Sequence, residues 1–461
     1  MSQTPDYDLI IIGAGVGGHG AALHAVECGL KTAIVEMAEM GGTCINRGCI
    51  PSKALLSAAG RLREIQHSDQ FGISVGEVTF DREAIAKHAR DVVSKIRGDL
   101  TKSLERLKVD ILRGRGKLLS AQTVEVTSAE GKANTYTAKD VLIASGSTPF
   151  VPPGIEIDGE TVFTSDRAVN LASLPKKLAI IGSGYIGLEF ADVYTALGCE
   201  VVMIEAMDKL MPAFDPDIAR LAQRLLLKGR NIEAMAGVLA KKITPGTPVQ
   251  IELSNDTTLE VDACLVATGR IPISKDMGLE DLGIDTGRRG FIPVDDRMAT
   301  SVPHVWAIGD ATGKMMLAHT ASAQGIAAVE AMCDRESSVD YHSIPAAVFT
   351  HPEMGFVGLT EPQAKDKGYK VGVARTYFGG NSKAIASADT DGMVKVIFDK
   401  SNGELLGAHI FGPHAADLIH EASQAIAERA SVKDLAKLVH THPTLAETLD
   451  EAYKRAAHAV G

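Results

Sequence analysis

The sequence predicts an α/β protein in which one strand–turn–helix–strand unit occurs twice, followed by a C-terminal α+β region. Three observations predict it. Short apolar runs end in glycine-rich turns at residues 8–18 and again at 178–187. After each turn come helical spacing, a glycine and a second apolar run closing on a glutamate. From about residue 346 the order changes to strands followed by helices.

Taken in order, Asp8 to Ile12 is the short apolar run of a strand buried on both faces of a parallel sheet. Gly13-Ala-Gly15-Val-Gly-Gly18 follows, Ala21 to Cys28 has helical spacing, and Gly29 stops it. Thr32 to Val35 is the next strand, ending at Glu36. Ile85, Ala89, Val92, Ile96, Leu100, Leu104 and Leu107 predict a helix over 79–107. The unit recurs with a strand at Leu178–Ile181, glycines 182, 184 and 187, a helix at Leu188–Leu197, and a strand at Glu200–Ile204 closing on Glu205. Residues 247–253 and 260–267 read as strands, and 302–310 as a strand with a polar tip. Strands at 355–359, 371–378, 393–398 and 404–411 precede helices at 414–429, 432–440 and 444–458. The Pro- and Gly-rich segments 147–154 and 269–273 mark crossings between lobes. The expected domains are 1–150 with 273–345, then 151–272, then 346–461.

Composition narrows the function. The chain has 461 residues, 45% apolar and 23% charged, which excludes disordered and fibrous classes. With 58 acidic against 47 basic residues the net charge is −11, a poor match to nucleic acid. No apolar run reaches the length of a membrane helix. The first 30 residues hold no Lys or Arg, so the expectation is a cytoplasmic protein or a processed mature form. Six cysteines are too sparse for a disulfide-stapled scaffold.

Gly13, Gly15 and Gly18 sit between a strand and a helix. There a glycine permits the turn, a second admits a pyrophosphate to the backbone, and a third lets helix and strand pack. Glu36 is placed to accept ribose hydroxyls. Gly182, Gly184, Gly187 and Glu205 repeat the pattern, so two Rossmann-like dinucleotide-binding lobes are expected. Glu205 favours NAD over a 2′-phosphate, although Lys209 is close. A plain structural turn is the alternative at each loop.

Cys44 and Cys49 form the one close cysteine pair, with four residues between them. So short a loop gains little from a structural staple. A readily opened disulfide suits the spacing better, two ordinary core cysteines being the alternative. Zinc would need a second Cys or His pair, and none stands nearby. Pro443 suits a helix first turn, placing His442 at a helix entrance and Glu447 a turn beyond. A His oriented by a carboxylate is a general-base arrangement, with a surface pair as the alternative and His440 and His351 as competitors. Lys53 and Glu189 each follow a special loop and read by default as solvated charges, while Asp310, after an apolar strand and Gly309, could contact a ribityl chain, with a strand-end turn Asp as the alternative.

Together the first glycine loop, Gly-Gly-Thr-Cys44-Ile-Asn-Arg-Gly-Cys49-Ile-Pro-Ser-Lys53, Gly182 to Glu189, Val-Ala-Thr-Gly-Arg270, Ala-Ile-Gly-Asp310 and His442-Pro-Thr with Glu447 resemble the FAD-dependent pyridine nucleotide–disulfide oxidoreductases. The resemblance spans essentially the whole chain. It implies FAD on Gly13, Gly15, Gly18, Glu36, Lys53, Gly116, Asp310 and Ala318, and NAD on Gly182, Gly184, Gly187, Glu205, Val238 and Gly269. It implies Cys44 as the sulfur that exchanges with substrate and Cys49 as the sulfur beside the flavin. Lys53 and Glu189 would pair near the flavin edge, and His442, held by Glu447, would be the base, supplied by a partner subunit. The implied protein is a homodimer with 346–461 as its interface. Its substrate would be dihydrolipoamide on a carrier protein of a 2-oxo acid dehydrogenase or glycine cleavage complex. No resident metal, nucleic acid or membrane is implied. An NADPH-dependent glutathione-type reductase is the alternative, which Glu205 opposes; a mercuric reductase would need a C-terminal cysteine pair. A non-catalytic docking subunit is the rival from another class. Arg47 departs from the apolar residue usual between the cysteines, where a cation could stabilise a thiolate or simply sit in solvent.

Overall fold

The computed structural model describes residues 4–227, 230 and 232–460. The outermost positions of the expected first and last domains, 1–3 and 461, and residues 228, 229 and 231 of the middle one lie outside the described residues. The chain divides into two compact units: residues 1–54, 83–150 and 269–339, and residues 55–82, 151–268 and 340–461.

In the first unit Tyr7–Ile12 lies between Thr32–Glu36 and Ala133–Ile143 in a sheet of seven strands, parallel to both. Leu9, Ile10 and Ile11 are fully buried, which is why the run is apolar without alternation. Three further strands, Asp110–Arg113, Arg115–Ser120 and Thr123–Thr127, extend this sheet, and Val305–Ala307 adds to it in parallel. The first helix runs Val16–Glu27, starting inside the glycine motif rather than at Ala21. Its glycines hide the helical period because they serve packing. A Cβ on Gly17 would stand 2.9 Å from Ala321 Cβ, and one on Gly20 would stand 3.0 Å from Ser322 Oγ. Both contacts are with the helix Ala318–Met332.

In the second unit Lys177–Ile181 lies between Glu200–Glu205 and Ala263–Val266 in a five-stranded parallel sheet. The helix after its glycine turn is Tyr185–Ala196, again starting within the motif. A three-stranded antiparallel sheet, Ala240–Thr244, Val249–Leu253 and Thr258–Val261, packs its Ile243, Val249, Ile251 and Val261 into the same core.

The C-terminal part holds a five-stranded antiparallel sheet whose central strands, Met393–Asp399 and Leu405–Gly412, are almost wholly buried. Helices Ala415–Ala427 and Glu447–His458 contribute Ile419, Ala422, Leu449, Ala452 and Tyr453 to its core. The helix expected at 432–440 is only Val432–Leu435, and that expected at 444–458 starts at Glu447. No helix of the described residues is long and apolar enough to cross a membrane.

Segments 147–154 and 269–273 pair with each other: Ser147–Pro149 runs antiparallel to Arg270–Pro272. The chain leaves the first unit after Phe150 and returns at Gly269, whose carbonyl accepts the Phe150 N–H at 2.9 Å.

Candidate active site

The first glycine loop is built by contact. Gly13 has φ +111°, and a Cβ there would meet Ala144 O at 2.3 Å; a Cβ on Gly18 would meet Gly13 O at 2.0 Å. Gly15 is different, because among the described residues nothing beyond its own chain neighbours and helix lies within 4 Å of its would-be Cβ. Nothing inside the protein demands a glycine there, so the space suits a group approaching from outside.

Three helix N-termini converge on that space. Gly15 caps Val16–Glu27, and Gly41 caps the short helix Gly42–Arg47. Gly41 and Gly42 have φ of +93° and +57°, and a Cβ on Gly42 would stand 2.8 Å from Gly15 Cα. The third helix begins at Ala318, and its Ala321 touches Gly17. Free N–H groups and aligned dipoles at three helix starts favour an anion such as a pyrophosphate. The residues present therefore fit a dinucleotide.

Glu36 is buried at the end of its strand. One carboxylate oxygen accepts the Ala14 N–H at 2.8 Å and the other the Ala38 N–H at 2.8 Å. Glu205 does the same in the second unit, accepting from Ser183 N at 3.0 Å, Ser183 Oγ at 2.7 Å and Met207 N at 2.9 Å. Each acid thus ties its glycine loop to the following turn, and keeps lone pairs for a further donor. Gly182 and Gly187 repeat the close contacts of Gly13 and Gly18, and the space beside Gly184 is open like that beside Gly15. Val238 N–H donates to Glu205 O at 3.0 Å, which sets Val238 beside that acid.

The glycine pair 41–42 delivers Cys44 to the glycine loop. Cys44 lies on Gly42–Arg47, and Cys49 opens the next helix, Cys49–Gln66, with Lys53 one turn further. The hydrogen bond that Cys44 donates to the Cys49 side chain pushes the Cys44 thiol up, burial adds to this, and Lys53 opposes it. Cys44 therefore carries the proton in the reduced pair. Both sulfurs are thiols in this structure. Arg47 turns to Glu39 at 2.9 Å on the surface, so its charge is answered there.

Gly116 lies on the strand Arg115–Ser120, where a Cβ would press on Ile12 at 3.0 Å. Asp310 stands on the turn Gly309–Thr312 just after the strand Val305–Ala307. It accepts the Ser147 hydroxyl, while Arg270 Nε donates to Ser147 Oγ at 2.7 Å. Arg270 also reaches Thr43 Oγ1 at 3.5 Å, beside Cys44. Sequence reasoning did not assign Ser147 or Arg270 to the site. Only the place of Arg270 in the Val-Ala-Thr-Gly-Arg270 motif pointed to it.

In the second unit Glu189 is buried on the helix Tyr185–Ala196 and accepts the Phe349 N–H at 3.1 Å. His442 and Glu447 are brought together as expected, but not by a helix first turn. The helix starts at Glu447, and the segment before it, with a cis His442–Pro443 peptide, is held by side chains. Thr444 N–H donates to Glu447 Oε2 at 2.8 Å, and Asn381 Nδ2 donates to Thr444 O at 2.9 Å. His442 Nδ1 lies 2.9 Å from Glu447 Oε1. A carboxylate only accepts, so Nδ1 donates and the neutral ring keeps its lone pair on Nε2. Hydrogen bonds from Thr444 N–H and His442 hold the Glu447 carboxyl below its ordinary range. The His442 side chain is 69% exposed, whereas the competitor His440 is 9% exposed between Glu421 and Asp450.

Residues 7–325 match the family model of the pyridine nucleotide-disulphide oxidoreductases, and residues 344–453 match the dimerisation domain of the same family. The chain belongs to this family. It is 62% identical to dihydrolipoyl dehydrogenase of a Synechocystis strain, over 99% of this chain and 100% of that protein. It is 55% identical to chloroplastic dihydrolipoyl dehydrogenase 2 of Arabidopsis thaliana, over 99% and 83%. Among solved structures, LpdA of Mycobacterium tuberculosis superposes with a TM-score of 0.92 at 27% identity, over 97% of this chain and 99% of that one. The fold is thus that of a pyridine nucleotide-disulphide oxidoreductase: two nucleotide-binding α/β domains and a C-terminal α+β dimerisation domain.

Proposed function

We infer that this oxidoreductase is a dihydrolipoyl dehydrogenase, oxidising dihydrolipoamide and reducing NAD with the help of FAD. The relatives that match over nearly the full chain carry that activity in their names, which favours it over the NADPH-dependent glutathione-type alternative. The observation in the structure that carries the reading is the docking of the Cys44 helix on the Gly15 loop through Gly41 and Gly42. That contact ties a dithiol to a dinucleotide-binding turn.

Dithiol oxidation needs a nucleophilic sulfur, a second sulfur and a proton acceptor. Cys44 takes the exchange with the substrate dithiol, and Cys49 is the sulfur on the flavin side. The Nε2 lone pair of His442, fixed by Glu447, accepts the proton that the substrate thiol loses. As in the family, that histidine is contributed across a homodimer. Bound FAD supplies the electron sink that passes the pair on to NAD. Gly13, Gly15, Gly18, Glu36, Gly116, Asp310 and Ala318 hold the first dinucleotide. Gly182, Gly184, Gly187, Glu205, Val238 and Gly269 hold the second. Lys53 and Glu189 keep the charged roles that the family resemblance assigns them. The dihydrolipoamide is carried on a protein of a 2-oxo acid dehydrogenase or glycine cleavage complex.

The test is NADH formation by the FAD-loaded enzyme. Turnover is expected with dihydrolipoamide and NAD. Turnover with NADPH and oxidised glutathione instead would move the assignment to the alternative.

A further inference from the structure

Cys28 and Cys333 lie outside the site described above. Each caps the C-terminal end of a helix, Cys28 after Val16–Glu27 and Cys333 after Ala318–Met332. These helices pack side by side through Gly17 on Ala321, Gly20 on Ser322 and Gly325 on Ala21. Their N-terminal turns lie at the glycine loop, so their C-terminal ends also meet. A side-chain hydrogen bond joins the two sulfurs.

The surroundings are those of a reactive thiol. Arg335 Nη1 donates to Cys28 Sγ at 3.5 Å. His24 Nε2 stands 3.8 Å from the same sulfur. Glu330 holds both neighbours, at 2.6 Å from His24 Nε2 and 3.2 Å from Arg335 Nη1. Burial pushes the Cys333 thiol up and the Cys28 sulfur adds to it, so Cys333 supplies the shared proton. Neither cysteine is fully buried. A thiol beside a guanidinium, with a second thiol in contact and access to solvent, is the environment of a redox-active pair. His24, Cys28 and Glu330 also place their donor atoms within 4.8 Å of one another, a set that a transition-metal ion would accept. Arg335, bonded to the sulfur and to the carboxylate, opposes a second cation there.

We propose that Cys28 and Cys333 form a second dithiol–disulfide couple, a reversible modification site whose oxidant is a small-molecule disulfide. The Cys28 thiolate attacks one sulfur of that disulfide. The old S–S bond breaks, a mixed disulfide forms on Cys28, and the leaving thiolate takes up the proton that Cys28 lost. The Cys333 sulfur then attacks Cys28, and the second thiol leaves with the Cys333 proton. The pair has lost two electrons and two protons, and the small disulfide has gained both. The new bond staples the ends of the two helices whose first turns carry Gly15 and Ala318, so the oxidised protein melts at a higher temperature.

The experiment uses the FAD-loaded enzyme carrying Cys44→Ser and Cys49→Ser; of six cysteines, four then remain. It is treated with oxidised glutathione, and free thiols are counted in denaturant. The expected result is a fall from four thiols to two, with the peptides bearing Cys28 and Cys333 joined in the mass map. Four remaining thiols, glutathione persisting on either cysteine, or a tightly held zinc ion that protects both would overturn the proposal. If the double variant does not fold, the same map on the unmutated enzyme decides by the joined peptides alone. Cys28→Ser and Cys333→Ser should each abolish the joined peptide and leave dihydrolipoamide turnover unchanged.

Discussion

At the scale of single residues, the account rests on which atom carries a proton. Cys44 holds the proton of the reduced pair because it donates a hydrogen bond to the Cys49 side chain. Cys49→Ser removes the second sulfur and should abolish dihydrolipoamide-dependent NADH formation while the protein still folds and docks. Retained turnover would exclude the redox pair. His442→Gln removes the base and should lower kcat/KM for dihydrolipoamide about 10²–10⁴-fold. Glu447→Gln should cost less, because an amide can still turn the ring but no longer holds its donor as a carboxylate does. The Glu447 carboxyl is held below its ordinary range, so it stays ionised at neutral pH and the ring keeps its orientation there. That hold is lost only as pH falls below the carboxylate range, so steady-state rates from pH 7 to pH 5 should show no limb that Glu447→Gln removes.

At the scale of elements, the glycine loops separate folding from binding. A Cβ on Gly187 would stand 2.1 Å from Gly182 O, against backbone that has little room to move. Gly187→Ala should destabilise the second unit by about 1–3 kcal/mol, seen in the urea midpoint. Gly184 has φ −78°, which any residue adopts, and open space at its would-be Cβ. Gly184→Ala should leave the urea midpoint within about 0.5 kcal/mol of the parent and raise the KM for NAD. If both substitutions behaved alike, the open space would have no ligand to explain it. These loops were also the most legible part of the sequence, because strand, glycines, helix and acid follow each other locally. The helix Cys49–Gln66 was not legible as such, since Pro51 and the charges Arg61, Arg63 and Glu64 mask it, although Leu55, Ala59 and Leu62 carry helical spacing. The strands between Asp110 and Ile143 were missed because short, half-exposed strands depend on distant partners. The His442–Glu447 pair was legible, but not the loop that holds it. Asn381, which secures that loop, is 63 residues from Thr444.

At the scale of the whole molecule, one buried cation ties together distant parts of the second unit. Lys395 is 1% exposed and donates to Asp215 at 2.8 Å, Asp217 at 2.8 Å and Glu361 at 2.9 Å. Asp215 and Asp217 precede the helix of the nucleotide-binding segment or open it, whereas Lys395 and Glu361 belong to the C-terminal part. Lys395→Met takes the cation from the buried Asp215 carboxylate, whereas Asp217 keeps Arg375 and Glu361 keeps Lys365, and should cost about 3–5 kcal/mol in a urea titration. Burial pushes the Asp217 carboxyl up, but Lys395 and Arg375 pull it down to about 2 from 3.8. A depressed carboxyl stabilises the fold above its unfolded value, so this contribution is complete at neutral pH and drains away as pH falls from 3.8 towards 2. Lys395→Met should show a shallower loss over that window.

The central claim, that electrons leave the substrate through Cys44 and Cys49 beside a flavin, is met most directly by an anaerobic titration of the FAD-loaded enzyme with dihydrolipoamide, followed by absorption. The account predicts a long-wavelength band from a thiolate against the flavin, rising as dithiol is consumed and absent in Cys49→Ser. A flavin that bleaches with no such band, or that does not respond to the dithiol, would contradict it.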